Sequence, residues 1–256
     1  MRMSVKDFDK IFSGKKALVV GGTGGIGQAI SLGLAERGAD LIIHGGSSRE
    51  RLESAVKAVK AVGAKARGFL LPITDHTAAE EIYKRAAEPG CSAGQVDILV
   101  CAFGPFCRSS LDKTDAESWR FMAMGNLAFP GAMVSLVLPA MISKNWGRIL
   151  LFGGTNTDTI RGFLTTTAYS AAKTGLGVIA KSTARSFGGQ GITCNVICPG
   201  MTDTEYLGEH EILYNREKSP LGKALSPKNI AAVSLDILEN PNINGAIIPV
   251  DKGICV

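Results

Sequence analysis

Two observations predict an α/β fold built on one parallel, doubly wound sheet of seven strands with helices on both faces. Seven short apolar runs, at residues 17–20, 41–44, 66–71, 96–101, 149–152, 193–198 and 246–250, alternate with longer stretches of helical periodicity. The first run leads directly into a glycine-rich turn and then a helix, the order in which such sheets begin. No Pro/Ser-rich linker, repeat or low-complexity tract divides the 256 residues, so a single domain is expected.

The elements follow in order. After the first strand come Gly21-Gly22-Thr23-Gly24-Gly25-Ile26-Gly27, and Ala29, Ile30, Leu32, Leu34 and Ala35 then start a helix. Helix starts resembling capping boxes follow the second, third and fourth strands, at Ser47-x-x-Glu50, Thr77-x-x-Glu80 and Thr114-x-x-Glu117. Residues 121–142 carry no charge; Asn126, Ser135, Pro130 and Pro139 interrupt them, which favours a helix buried at a core or subunit contact over a membrane span. A small-residue helix runs on from Tyr169 to Phe187, and Ser226 followed by Pro227 starts the last helix.

Glycines between a first strand and a first helix let the backbone turn tightly and approach a pyrophosphate. There the free amides and the helix dipole favour an anion. Gly21, Thr23, Gly24, Gly25, Ile26 and Gly27 are therefore candidate dinucleotide ligands, and the sheet is expected to be of the Rossmann type.

Composition narrows the function classes. The chain is 45% hydrophobic, 20% charged and 6% aromatic, as for a soluble globular protein. Its net charge of +5 is spread among interspersed acids and bases, which argues against nucleic acid as a partner. Six cysteines form no CxxC pair and lie near only three histidines, none at metal-ligand spacing. They read as reduced thiols, no metal is expected, and the N-terminus lacks the apolar core of a signal peptide; a cytoplasmic protein is expected.

Tyr169 and Lys173, in Tyr169-Ser170-Ala171-Ala172-Lys173, lie four residues apart and so share one helix face. An ammonium near the phenol favours the ionised form and lowers a pKa that is about 10 in free tyrosine, making Tyr169 a candidate acid/base.

With these motifs in order, the chain resembles the short-chain dehydrogenase/reductase family over nearly its whole length, the 3-oxoacyl-carrier-protein reductases in particular. Gly21, Gly25 and Gly27 have the family's GxxxGxG spacing, and Asp97-Ile98-Leu99-Val100 is similar to its fourth strand. Gly125-Asn126-Leu127 resembles the helix bearing the active-site asparagine, Gly147-Arg148-Ile149-Leu150 the fifth strand, and Tyr169 with Lys173 the catalytic pair. Cys198-Pro199-Gly200-Met201-Thr202-Asp203-Thr204 matches the turn that holds the nicotinamide end, and Val250-Asp251-Lys252-Gly253 the C-terminal strand motif.

The resemblance implies that Tyr169 exchanges a proton with a carbonyl or secondary alcohol while hydride moves to or from a nicotinamide. It further implies that Lys173 binds the nicotinamide ribose and lowers the tyrosine pKa, and that Asn126 holds a helix kink and a water leading to Lys173. Pro199, Gly200, Thr202 and Thr204 would contact the cofactor.

Departures from the family pattern are specific. Cys101-Ala102-Phe103-Gly104 replaces the usual Asn-Asn-Ala-Gly, leaving the backbone of Ala102, Phe103 and Gly104 against the cofactor. Pro72 replaces an adenine-contacting aspartate, so that Ile73 and backbone groups take over. The substrate-side serine falls on Gly154 counted forward from Gly147-Arg148 and on Asn156 counted back from Tyr169. Thr155 lies between, and Thr155 or Asn156 supplies a donor if the loop folds inward. At the end of the second strand, His44-Gly45-Gly46-Ser47-Ser48-Arg49 contains no acid to bind a ribose 2′-hydroxyl. Ser47, Ser48 and Arg49 favour a 2′-phosphate, hence NADP(H) over NAD(H).

A lid is expected over residues 205–225, and Phe103, Phe106 and Phe163 as an apolar wall. The expected function is NADP(H)-dependent carbonyl reduction or alcohol oxidation on a ketone, a 3-oxoacyl thioester, or a sugar or polyol. The alternative is a nucleotide-binding family member with weak or no dehydrogenase activity. Assembly as a homotetramer or homodimer is expected through residues 121–142 and 167–187.

Overall fold

The computed structural model describes residues 10–88, 95–204, 217, 219–223 and 225–253. Seven parallel strands form one sheet in the order β3-β2-β1-β4-β5-β6-β7. They are β1 (Lys16–Val20), β2 (Asp40–Gly45), β3 (Ala66–Leu70), β4 (Ile98–Cys101), β5 (Gly147–Phe152), β6 (Ile192–Pro199) and β7 (Ile247–Val250). All seven expected strands are present, and this is the Rossmann-type architecture anticipated above. Most of the expected lid lies outside the described residues.

Alternation along the strands divides the core in two, because successive side chains leave opposite faces of a pleated sheet. Leu18, Leu99, Ile149, Leu151 and Val196 pack with helices α3 (Ala78–Ala87), α5 (Phe129–Lys144) and α6 (Thr167–Phe187). Val19, Ile43, Val100, Leu150 and Ile197 pack on the other face with α1 (Gly25–Glu36), α2 (Arg49–Ala61) and α7 (Pro227–Glu239). The central strands β1 and β4 are buried along their whole length, as a parallel sheet covered on both faces requires, while the edge strands β3 and β7 are only partly buried.

The charge-free stretch is not one regular helix. Between α4 (Ala116–Ala123) and α5, residues Met124–Ala128 form a π-helical turn with Asn126 inside it. The combined run from Ala116 to Lys144 is long and apolar enough to cross a membrane, but Met133, Val137 and Met141 are fully buried against the sheet. It is a core helix.

Three helix starts differ from expectation. Ser48, not Ser47, caps α2 by accepting from the Arg51 amide at 3.3 Å. Asp115, not Thr114, caps α4 by accepting from the Ser118 amide at 2.7 Å, whereas the Thr114 hydroxyl donates to the Ser110 carbonyl. Thr77 precedes α3 but caps nothing, because its amide and hydroxyl both donate to Asp75 Oδ1. In each case a local side-chain to backbone hydrogen bond other than the expected one forms at the helix start. Ser226 and Asn229 form a complete capping box at α7, as the Ser-Pro signal indicates.

Candidate active site

Strand order places the site. β1 pairs with β2 on one side and β4 on the other, so the connections leaving β1 and β4 diverge to opposite faces and a crevice opens between them. A cavity of about 680 Å³ occupies this position at the carboxyl ends of the strands.

The glycine loop forms one wall. Gly21 has φ +76°, open to glycine at no steric cost, and a methyl group on Gly27 would strike the Gly21 carbonyl oxygen, so that α1 can begin directly above the strand end only without it. Gly24 stands at the N-cap of α1 without a side-chain cap, and the first turn carries no acid. The first-turn amides and the positive helix end thus face the cavity uncompensated, a fit for the pyrophosphate of a dinucleotide. Gly21, Thr23, Gly24, Gly25, Ile26 and Gly27 all line it.

Around the same cavity stand Gly46, Ser47, Ser48 and Arg51 on the β2–α2 side, and Ala102, Phe103, Gly104 and Phe106 after β4. Gly154, Thr155 and Tyr169 close one end together with Pro199, Gly200, Thr202 and Thr204. Three expected cofactor contacts, Arg49, Ile73 and Lys173, are not among the lining residues. Arg49 faces a separate groove between α2 and β3, and Arg51, roughly 200° further round the helix, takes the cavity side. Ile73 is buried in the core among Leu18, Val20 and Leu99.

Behind the lining is a buried polar cluster. Lys173 is 4% exposed, and its ammonium donates to the Phe152 carbonyl at 2.7 Å, which satisfies one of its protons at the end of β5. Asn126 is fully buried; Nδ2 donates to the Pro105 carbonyl at 2.9 Å, while Oδ1 has no hydrogen-bond partner. A methyl group on Gly104 would overlap both Asn126 Oδ1 and Lys173 Nζ, so these two atoms converge on one glycine. The π-helical turn aims the Asn126 amide across the helix axis at Pro105 and Gly104.

Tyr169 lies on the first turn of α6, half-buried, with the Phe106 ring edge-on at 5.0 Å. Gly154 occupies the place opposite its phenol, since a methyl group there would stand 2.7 Å from Tyr169 Oη. Of the two counts for the substrate-side serine, the forward one thus lands against the phenol. The Thr155 hydroxyl donates to the Pro199 carbonyl at 3.1 Å, tying this loop to the Pro199-Gly200 turn. Asn156 adopts φ +63°, and its amide oxygen accepts from Arg161 at 3.1 Å. Thr157 is buried instead, its hydroxyl accepting from the Gly154 amide and donating to the Gly154 carbonyl.

The expected depression of the tyrosine pKa is reversed here. Burial pushes the Tyr169 phenol up to about 12, and the neighbouring Cys198 adds to the shift. Lys173 does not offset this, because its ammonium is held on the Phe152 carbonyl, 5.9 Å from the centre of the phenol ring. Burial also lowers Lys173 to about 8, with Cys101 and Cys198 opposing the shift. At neutral pH the phenol is protonated and the lysine still carries its charge.

A buried lysine with a lowered pKa costs stability in its charged form. Between the folded value of about 8 and the unfolded value of 10.5 the unfolded chain binds more protons, so stability rises with pH in that window. Comparing Lys173→Met with wild type by urea unfolding isolates the effect. From pH 7.5 to 9.5 the wild type gains on the order of 1–2 kcal/mol relative to the variant; a constant difference contradicts the burial argument.

Known proteins resemble this chain in sequence and fold. A family model for short chain dehydrogenases matches residues 15–212. The chain is 28% identical over 251 residues to a 3-oxoacyl-[acyl-carrier-protein] reductase of Thermotoga maritima, covering 95% of this chain and 98% of that protein. It is 34% identical over 194 residues to the reductase of that name in Escherichia coli, 76% of each chain. A 2-dehydro-3-deoxy-D-gluconate 5-dehydrogenase of Formosa agariphila is 27% identical over 262 residues, 98% of this chain and 96% of that one. Among solved structures, a 3-oxoacyl (acyl-carrier-protein) reductase from Agrobacterium tumefaciens with NADP bound superimposes with a TM-score of 0.87 at 26% identity, covering 98% of both chains. A short-chain dehydrogenase/reductase from Serratia marcescens gives 0.86 at 27% identity over 95% of this chain and 99% of that one. A family match over most of the sequence, on the same seven-stranded sheet and glycine loop, makes this chain a member of the short-chain dehydrogenase/reductase family.

Proposed function

We propose that this protein reduces a carbonyl compound, or oxidises the matching secondary alcohol, with NADP(H) as the preferred cofactor. The observation that carries the reading is the meeting, in one cavity, of an uncapped helix N-terminus at Gly24 and the phenol of Tyr169. A nicotinamide bound at the Pro199–Thr204 end supplies hydride chemistry. The chain's own residues then do the following. Tyr169, protonated at neutral pH, donates its phenolic proton to the carbonyl oxygen. Lys173 places a positive charge behind it, and Asn126 holds Oδ1 toward the same point. The glycine-loop amides and Ser47, Ser48 and Arg51 hold the phosphates. The relatives named for a 3-oxoacyl-[acyl-carrier-protein] and for 2-dehydro-3-deoxy-D-gluconate define the two substrate classes to test first.

Gly154 supports a second reading, dinucleotide binding with little turnover. It presents no hydroxyl to a carbonyl held by Tyr169, and loss of such a donor costs on the order of 3 kcal/mol in transition-state stabilisation. Following NADPH oxidation against ketones, 3-oxoacyl thioesters and sugar-derived ketones separates the two. The first reading expects turnover that falls at least about a hundredfold in Tyr169→Phe. Tight NADPH binding without turnover across the panel favours the second, and equal turnover by wild type and Tyr169→Phe rejects the first.

Cofactor preference rests on Arg51 and on the absence of an acid in His44-Gly45-Gly46-Ser47-Ser48. Arg51→Ala is expected to weaken NADPH binding by about tenfold or more while leaving NADH within twofold, as measured by fluorescence titration. Equal losses for the two cofactors reject a 2′-phosphate contact.

Assembly through α5 and α6 belongs to the same proposal. Val178 on α6 is 69% exposed and Phe121 on α4 is 41% exposed, apolar surface beside a run without charges. Light scattering at micromolar concentration is expected to give a dimer or tetramer mass; a monomer rejects this contact. Cys101, Cys107, Cys194 and Cys198 carry no disulfide, which fits a cytoplasmic setting.

A further inference from the structure

His44 is the next-to-last residue of β2, three residues before the serines of the cofactor cleft, and is 1% exposed. A buried histidine is ordinarily a core filler whose nitrogens find whatever acceptor is near. Here one nitrogen is spent on the glycine loop that lines the cleft and the other on the segment that follows β3. Nε2 lies 2.8 Å from the Leu71 carbonyl, at the turn after β3, and Nδ1 accepts from the Gly21 amide at 3.4 Å. A carbonyl only accepts and an amide only donates, so these partners fix the tautomer: the proton is on Nε2 and Nδ1 is bare. The His44 carbonyl also accepts from the Gly22 amide at 2.9 Å, and the Leu71 amide donates to Gly45 at 3.0 Å. One residue thus grips Gly21-Gly22 by ring and backbone and holds the Leu71–Ile73 turn with the far side of the ring. The Phe69 ring packs edge-on at 5.6 Å and keeps the imidazole in its plane.

We propose that His44 is a positioning residue for the cofactor cleft, locking the first two glycines of the phosphate loop to the turn after β3. The inference rests on the dinucleotide reading above. Burial lowers the His44 pKa to about 4, so the bare Nδ1 persists at neutral pH.

The test compares His44→Phe, His44→Asn and His44→Gln in the full chain. Asparagine carries its amide near the place of Nδ1, and glutamine near that of Nε2. Dissociation constants for NADPH and NADH are measured by fluorescence titration, together with thermal unfolding and, on the best substrate, kcat and KM for the cofactor. His44→Phe is expected to raise both dissociation constants about tenfold, as for loss of one or two hydrogen bonds, with kcat at saturating cofactor within about twofold. Equal loss for the two cofactors separates His44 from a contact to the 2′-phosphate. His44→Asn, which keeps the acceptor for Gly21, is expected to recover most of the affinity, whereas His44→Gln is not.

A folded His44→Phe that binds both cofactors as wild type overturns the proposal, as does a His44→Asn no better than His44→Phe. Should His44→Phe not fold, the Asn and Gln pair decides alone: equal affinities overturn the proposal. Wild-type protein that binds neither NADPH nor NADH sinks the dinucleotide reading itself, a distinct result from wild-type binding that the variants leave untouched.

Discussion

The architecture depends on the point where a parallel sheet changes its direction of winding. β1 is the strand from which the chain goes out to β2 and β3, and beside which it later lays β4. Right-handed crossovers on the two sides of β1 leave their helices on opposite faces, so the connections after β1 and β4 diverge once past the close approach of Gly21 to Ala102. The crevice is a consequence of chirality and order, not of any one residue. What residues decide is how closely the backbone can approach it, and here the contact between Gly27 and the Gly21 carbonyl is the limiting one.

Electrostatics at the other end of the cavity are governed by burial. A lysine this enclosed, beside a tyrosine whose phenol faces a glycine, has its pKa lowered by burial to about 8, and its ammonium donates to the Phe152 carbonyl. Asn126 Oδ1, a buried acceptor without a partner, and the ammonium of Lys173 both stand at Gly104. An unpartnered buried acceptor is costly unless function or a small polar molecule compensates it. A side chain at Gly104 would fill that place, so the glycine keeps the space in which these groups meet.

Several local features were legible because they depend only on neighbours in sequence. The Tyr169–Lys173 spacing, the Ser226-Pro227 start and the glycine run all appear where expected. Others failed by one or two residues for equally local reasons. Ser48 rather than Ser47 and Asp115 rather than Thr114 cap their helices, and Arg51 rather than Arg49 lines the cavity. Counting alone also could not place the 153–156 loop, where the fold turns Asn156 outward with a positive φ and sets Gly154 against the phenol.

By itself, then, the amino-acid sequence determined the alternation of strand and helix, the seven-stranded parallel sheet, the phosphate loop and the sharing of one helix face by Tyr169 and Lys173. Periodicity and glycine placement act over a few residues, within reach of sequence reasoning. Only the tertiary structure decided which groups meet across elements: Lys173 with Phe152, Asn126 with Pro105, His44 with Gly21 and Leu71, and Thr155 with Pro199. Those pairings follow from strand register and loop path between segments 21 to 44 residues apart. The direction of the Tyr169 and Lys173 pKa shifts belongs to the same class, because burial is a property of the assembled core and no spacing along the chain contains it.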